Sequence, residues 1–116
     1  MPHAPTIRST SEVFHDHLLK RAEGNFEGDL RENYAPDVVL LTCTGIFRGH
    51  GGLRESHKVL VESLPDATIK SFNELVEGEF AFFEWRAQAD HAVVREGADS
   101  FVIRECKIRY QSIYSK

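Results

Sequence analysis

Apolar residues recur at helical spacing through most of the first half of the chain and at alternate positions through most of the second, so two kinds of element follow one another. In EVFHDHLLKRAEG, Val13, Phe14, His17 and Leu18 fall on one side of a helix. Ser9 with Glu12 three residues on supplies a capping-box start, and Gly24 ends the helix after about 12 residues. FEGDLRENY predicts a short second helix stopped by Pro36. DVVLLTCTGIFRG, β-branched with a glycine break, predicts a strand and a bend or short second strand. Leu53, His57, Leu60, Val61 and Leu64 recur at spacings of three and four until Pro65, which predicts a third helix. Beyond it lie four strand candidates, ATIKSFNELVEGE, FAFFEWRAQAD, AVVREGADSFVIRE and KIRYQSIYS. Their turns at Glu77-Gly78, Asp90-His91 and Glu105-Cys106 suit antiparallel hairpins and are too short for parallel crossovers.

Helices first and a meander of strands after predict an α+β layer architecture. A long sheet covered by helices on one face has to curve, which leaves a concave space where ligands bind. No repeat, linker or low-complexity stretch divides the 116 residues, so the expectation is a single domain over 1–116, with 1–9 a loose N-terminal segment.

Composition narrows the classes of function. Hydrophobic residues make up 41% and charged residues 28%, the balance of a globular domain. The net charge is -4 and the 14 Lys and Arg form no run, so neither nucleic acid nor a membrane surface is an expected partner. The longest apolar run, VVLLTC, is too short to span a bilayer, MPHAPTIRST has no apolar segment behind its charge, and a cytoplasmic protein is expected. Cys43 and Cys106 lack the spacing of a zinc site or a disulfide framework.

The candidate chemistry begins in GADSFVIR. Asp99 shares strand parity with Phe101 and Ile103, so an inward apolar face carries a carboxylate inward with it. One reading makes Asp99 a surface acid beside a Gly97-Ala98 turn; the other makes it a pocket acid whose proton affinity desolvation raises. His57 lies between Leu53 and Leu60, as a core histidine or a pocket-lining one. His15 and His17 are two apart and face different ways, so one is solvent-exposed and HDH is no metal clasp. His50 reads as a helix-start residue, and His3 and His91 show no partner. No metal or cofactor site has the required spacing. GIFRGHGG lacks the Lys-Ser/Thr ending of a phosphate loop, while Arg48 and Arg54 are either solvated or hold an acidic ligand group. In FAFFEWRAQAD, hydrophobicity favours Phe83, Trp85, Ala87 and Ala89 as the inward set over Phe82, Glu84, Arg86 and Gln88.

YAPDVVLLTCTGIFRGHGGLRE, then LP, GEFAFFEWRA and GADSFVIRECKI, in this order and spacing, resemble the nuclear transport factor 2-like superfamily, specifically its SnoaL-like branch, over residues 12–115. The resemblance implies a cone-shaped curved sheet, mixed but mainly antiparallel, wrapped around three helices, with a pocket at its open end and a homodimer through the outer sheet face. Members include ketosteroid isomerase, polyketide cyclases, scytalone dehydratase and limonene epoxide hydrolase, besides many proteins without known catalysis, so fold does not fix function. Asp99 falls on the isomerase's oxyanion-binding acid, a carboxyl kept neutral by an apolar site. His17 and His57 fall on its two pocket tyrosines, and Thr42 on its catalytic base, which a threonine cannot replace. An epoxide-hydrolase reading would need Arg86 to bridge two acids, with Gln88 where the first should stand. The aligned isomerase positions favour the Phe82 parity in the fourth candidate strand, opposite to the hydrophobicity argument, so its register stays open. Cys106 stands where the family usually has glycine, so the last hairpin is expected to differ in shape.

The expected site is therefore catalytic Asp99 with His17 or His57 as hydrogen-bonding partner, and ligand-binding Phe14, Tyr34, Leu40, Thr42, Trp85 and Phe101. The expected function is cofactor-independent isomerase, cyclase, dehydratase or hydrolase chemistry on a small apolar metabolite; the alternative is a non-catalytic ligand-binding or dimerisation module.

Overall fold

The computed structural model describes residues 7–64, 66–90 and 92–116; His3, Pro65, His91 and most of the 1–9 segment lie outside the described residues. Helix α1, Thr10–Ala22, starts at the expected capping box, with Ser9 Oγ accepting from the Glu12 amide and Glu12 accepting from the Ser9 amide. Its buried residues are Val13, Phe14 and His17. Helix α2, Phe26–Asn33, is capped by the Asn25 side chain, which accepts from the Gly28 amide at 3.0 Å. It ends before Tyr34, the first residue of strand β1, Tyr34–Thr42, so the helix stops earlier than Pro36 alone predicts. Pro36 lies inside β1, where the pairing register shifts between Tyr34 and Val39.

Strand β2, Gly45–Arg48, folds back on β1 and leads into α3, Gly49–Ser63. Strands β3, Thr68–Glu77, β4, Phe80–Ala89, β5, Ala92–Arg104, and β6, Lys107–Ser115, follow as hairpins. The sheet order is β2-β1-β6-β5-β4-β3. Every neighbouring pair is antiparallel except β1 with β6, which run parallel and make the sheet mixed. In the last hairpin Glu105 and Cys106 take φ of 54° and 64°, so Cys106 adopts the left-handed backbone that glycine adopts without strain.

The register of β4 is resolved in favour of hydrophobicity. Ala81, Phe83, Trp85 and Ala87 are buried, whereas Arg86 lies outside, 3.2 Å from Glu96 and over the Phe72 ring. An Arg86 bridge inside a pocket is thereby excluded. The third helix corrects another expectation: Leu53 is its only buried residue among those described, and Val61 is 54% exposed. Helix α3 packs on β1 and β2 and leaves much of β3 without cover; along its apolar stripe His57, Leu60 and Leu64 are half-buried and Val61 is exposed.

Candidate functional site

Alternation along β5 turns Gly97, Asp99, Phe101 and Ile103 toward the helices, opposite Trp85, Phe83 and Ala81 of β4. Asp99 is only 7% exposed. Its Oδ1 accepts from Trp85 Nε1 and its Oδ2 from Gln111 Nε2, both at 2.9 Å. Burial pushes the carboxyl above the ordinary aspartate range, and these two hydrogen bonds with the charges of His17 and Arg21 offset only part of that. Trp85 reaches Asp99 because Gly97 lies beneath its indole: a Cβ there would collide with the ring and with the Tyr114 carbonyl. Gly97→Ala is therefore expected to displace the single tryptophan, lowering stability by about 1–3 kcal/mol as overpacking does and shifting Trp85 fluorescence to the red. An unchanged spectrum and melt would contradict the placement.

A second cluster adjoins the first. On α2 the positions Phe26, Asp29, Leu30 and Asn33 form one helical stripe, which carries a carboxylate into the interior. Asp29 is fully buried; its Oδ2 accepts from His17 Nδ1 at 2.7 Å and Arg21 Nε at 2.6 Å, its Oδ1 from Asn33 Nδ2 at 2.9 Å. Burial raises its proton affinity, but the hydrogen bond and charge of His17 and the charge of Arg21 win, holding the carboxyl below its usual range. Asp29 therefore accepts a hydrogen bond from the Nδ1 proton of His17 and fixes the orientation of the ring. The ring packs edge-on against Phe101, 5.2 Å between centroids, and Tyr34.

The structure corrects the expected pairing of Asp99 with a histidine: His17 is turned to Asp29, and Asp99 is held by Trp85 and Gln111. His57 is half-buried, stacked on Phe26 with its Nδ1 3.5 Å from Arg21 Nη1; burial and then the Arg21 cation keep its proton affinity below the usual histidine range. Of the expected ligand-binding residues, Phe14, Leu40 and Phe101 are packed into the core, and Tyr34 and Trp85 join the buried polar groups. Thr42 is tied into the β1–β2 turn through Thr44 and the Gly45 carbonyl. His15 is the exposed member of its pair, and His50 begins α3 with Nε2 near the Tyr34 carbonyl. Of the two arginines considered for an acidic ligand group, Arg54 is paired with Glu27, and Arg48 is exposed at the start of α3. Asp29, Arg21 and Gln111 are the functional candidates that the sequence reading missed. At one end of the inner face Arg95, opposite Ala87, reaches Ser63 of α3, and Ile69 is 50% exposed.

No family model and no curated protein matches this sequence. Solved structures do. A proposed isomerase of the SnoaL-like family from Agrobacterium tumefaciens str. C58 superposes with a TM-score of 0.77 at 14% identity, over 94% of this chain and 99% of that one. An NTF2-like protein of unknown function from Cytophaga hutchinsonii ATCC 33406 gives 0.72 at 11% identity, over 97% and 95%. The chain has the nuclear transport factor 2-like fold. A proposed SnoaL-like polyketide cyclase from Jannaschia sp. CCS1 matches this NTF2-like chain over its whole length and 91% of its own, with a TM-score of 0.73 and 13% identity. At such identities the likeness establishes the architecture, and function has to come from the site. Among the described residues no helix of this NTF2-like chain is long and apolar enough to cross a membrane.

Proposed function

We propose that this protein is a cofactor-independent acid–base catalyst of the isomerase, cyclase or dehydratase kind, acting on a small apolar metabolite with Asp99 as the proton-handling group. The observation that supports it is Asp99 itself: a buried carboxyl on the inner face, held by two neutral N–H donors and, among the described residues, by no cation. Its raised proton affinity brings its titration toward neutrality, where a carboxyl exchanges protons with a substrate most effectively. His17, with Nδ1 engaged by Asp29, is the second proton carrier. The SnoaL-like isomerase and cyclase descriptions of the structural neighbours agree with this reaction class. The protein incubated in D₂O with a panel of small cyclic ketones and enones is expected to exchange the C–H next to the carbonyl of at least one faster than buffer does, read by NMR. No exchange across the panel, with no ligand-dependent change in Trp85 fluorescence, sinks the reading.

One observation favours a non-catalytic module instead: among the described residues every buried side-chain nitrogen and oxygen already has a partner, so the interior asks for no ligand to complete it. The exchange experiment separates the two.

The outer sheet face is the proposed homodimer surface. Leu41, Leu75, Phe80, Phe82, Val102 and Tyr110 line a groove of about 680 Å³ there, and Phe80 is 63% exposed. Sedimentation of the wild type is expected to give twice the chain mass, and Phe80→Glu with Tyr110→Glu the chain mass; a monomeric wild type contradicts it.

A further inference from the structure

Four side chains from four elements form one directed hydrogen-bond line. Arg21 Nη2 of α1 lies 3.5 Å from Tyr34 Oη of β1, Tyr34 Oη donates to Gln111 Oε1 of β6, and Gln111 Nε2 donates to Asp99 Oδ2 of β5. Arginine has donors only, so the Tyr34 oxygen accepts on that side and its proton points at Gln111. The Gln111 carbonyl must then face Tyr34, and its NH₂ must face Asp99. Direction along the line is fixed at its source, and Trp85 closes the other side with a donor that cannot be reversed.

We propose that Tyr34 and Gln111 are positioning residues that aim the titrating proton of Asp99: both hydrogen-bond partners of its oxygens are donors, so the acid proton occupies only a lone pair turned away from Trp85 and Gln111. This rests on Asp99 being the proton-handling group. Rotation of the Gln111 amide would put its carbonyl against Asp99 and let the acid proton be trapped inside the network, but it would also bring the Gln111 NH₂ against the Tyr34 proton. Tyr34 thus prevents the wrong orientation. Burial pushes the Tyr34 hydroxyl well above its ordinary range, so it remains a donor at every working pH. The other titratable and charged groups around Asp99 are His17 and Arg21 of α1, whose charges favour the carboxylate, while Asp29 of α2 screens both.

The test is the ¹³C-carboxyl titration of Asp99 by NMR in the wild type, Tyr34→Phe and Gln111→Met, with a thermal melt of each and the exchange assay run alongside. Loss of the charge-assisted Gln111 bond is expected to tighten proton binding at Asp99 by about tenfold or more, and loss of the Tyr34 hydroxyl by roughly twofold to fourfold through weaker polarisation of that bond. In Tyr34→Phe the Gln111 side-chain NH₂ signals are also expected to broaden or double as the amide gains its second orientation. Should Gln111→Met not fold, Tyr34→Phe alone decides, since it removes a single atom. An Asp99 midpoint the same as wild type in the folded variants, with one sharp Gln111 amide pair in Tyr34→Phe, overturns the line. A normal wild-type midpoint with no exchange activity would instead overturn the reading of Asp99 on which it rests.

Discussion

Asp29→Ala is expected to lower the stability of the fold by about 3–5 kcal/mol, the usual penalty for removing one partner of a buried ion pair. Asp29 has no solvent exposure and accepts from His17, Arg21 and Asn33 together. Without it the Arg21 guanidinium and the His17 ring lose their carboxylate partner, and α1 keeps the Asp16–Asn33 and Lys20–Glu32 contacts to α2 but loses its buried one. The melting temperature should fall by about 10–20 °C in a domain of this size. Because the folded carboxyl is held below its usual proton affinity, its contribution is fully present above the unfolded aspartate value and is lost as pH falls through the folded one. Urea unfolding should therefore show the gap between wild type and Asp29→Asn closing below about pH 4. A loss under about 1 kcal/mol at pH 7 would mean that the cluster contributes little.

Asp99→Asn is expected to act in the opposite direction on pH-dependent stability. Folding raises the proton affinity of Asp99, so its favourable contribution is complete below the unfolded aspartate value and is lost as pH rises through the folded one. As pH rises from the unfolded aspartate value through the raised folded one, the wild type should lose stability relative to Asp99→Asn, which has no charge to bury. The absolute offset is smaller than the charge argument alone gives, since the asparagine NH₂ meets the Gln111 NH₂ and turns that amide against Tyr34. Parallel melts at several pH values read the slope. A slope of the other sign would mean that Trp85 and Gln111 outweigh burial. A carboxyl buried in this way is held at a cost to the fold, as the proposed role of Asp99 requires.

Local signals carried the fold. The Ser9 and Glu12 capping box and the antiparallel hairpins depend on residues close in sequence, and each is realised; in β4, where alternation and the family alignment disagreed, alternation won and Trp85 faces inward. Asp99 was legible as an inward acid for the same reason. Its partners were not. Gln111 sits in KIRYQSIYS, where the register of β5 against β6 shifts between Val102 and Ile103, so simple alternation does not mark it as inward. Asp29 resembles an ordinary first-turn acid of a short helix until the stripe from Phe26 through Leu30 to Asn33 is seen to face the core. His17 was placed correctly on the buried face of α1, but which carboxylate it meets depends on how α1 packs on α2, information no spacing within one helix holds. The partial cover of α3 has the same origin: periodicity gives a stripe, and only the reach of the sheet beneath it decides how deeply each residue is buried.

The rate of carbon-bound proton exchange in the wild type against Asp99→Asn, measured with the same ketone or enone at matched pH, tests the central claim most directly. The proposed role requires a fall of about 10²- to 10⁴-fold, with the melt and the Trp85 fluorescence showing the fold intact. An Asp99→Asn protein that exchanges the substrate as fast as the wild type would contradict it, leaving the buried carboxyl a structural group of the NTF2-like core.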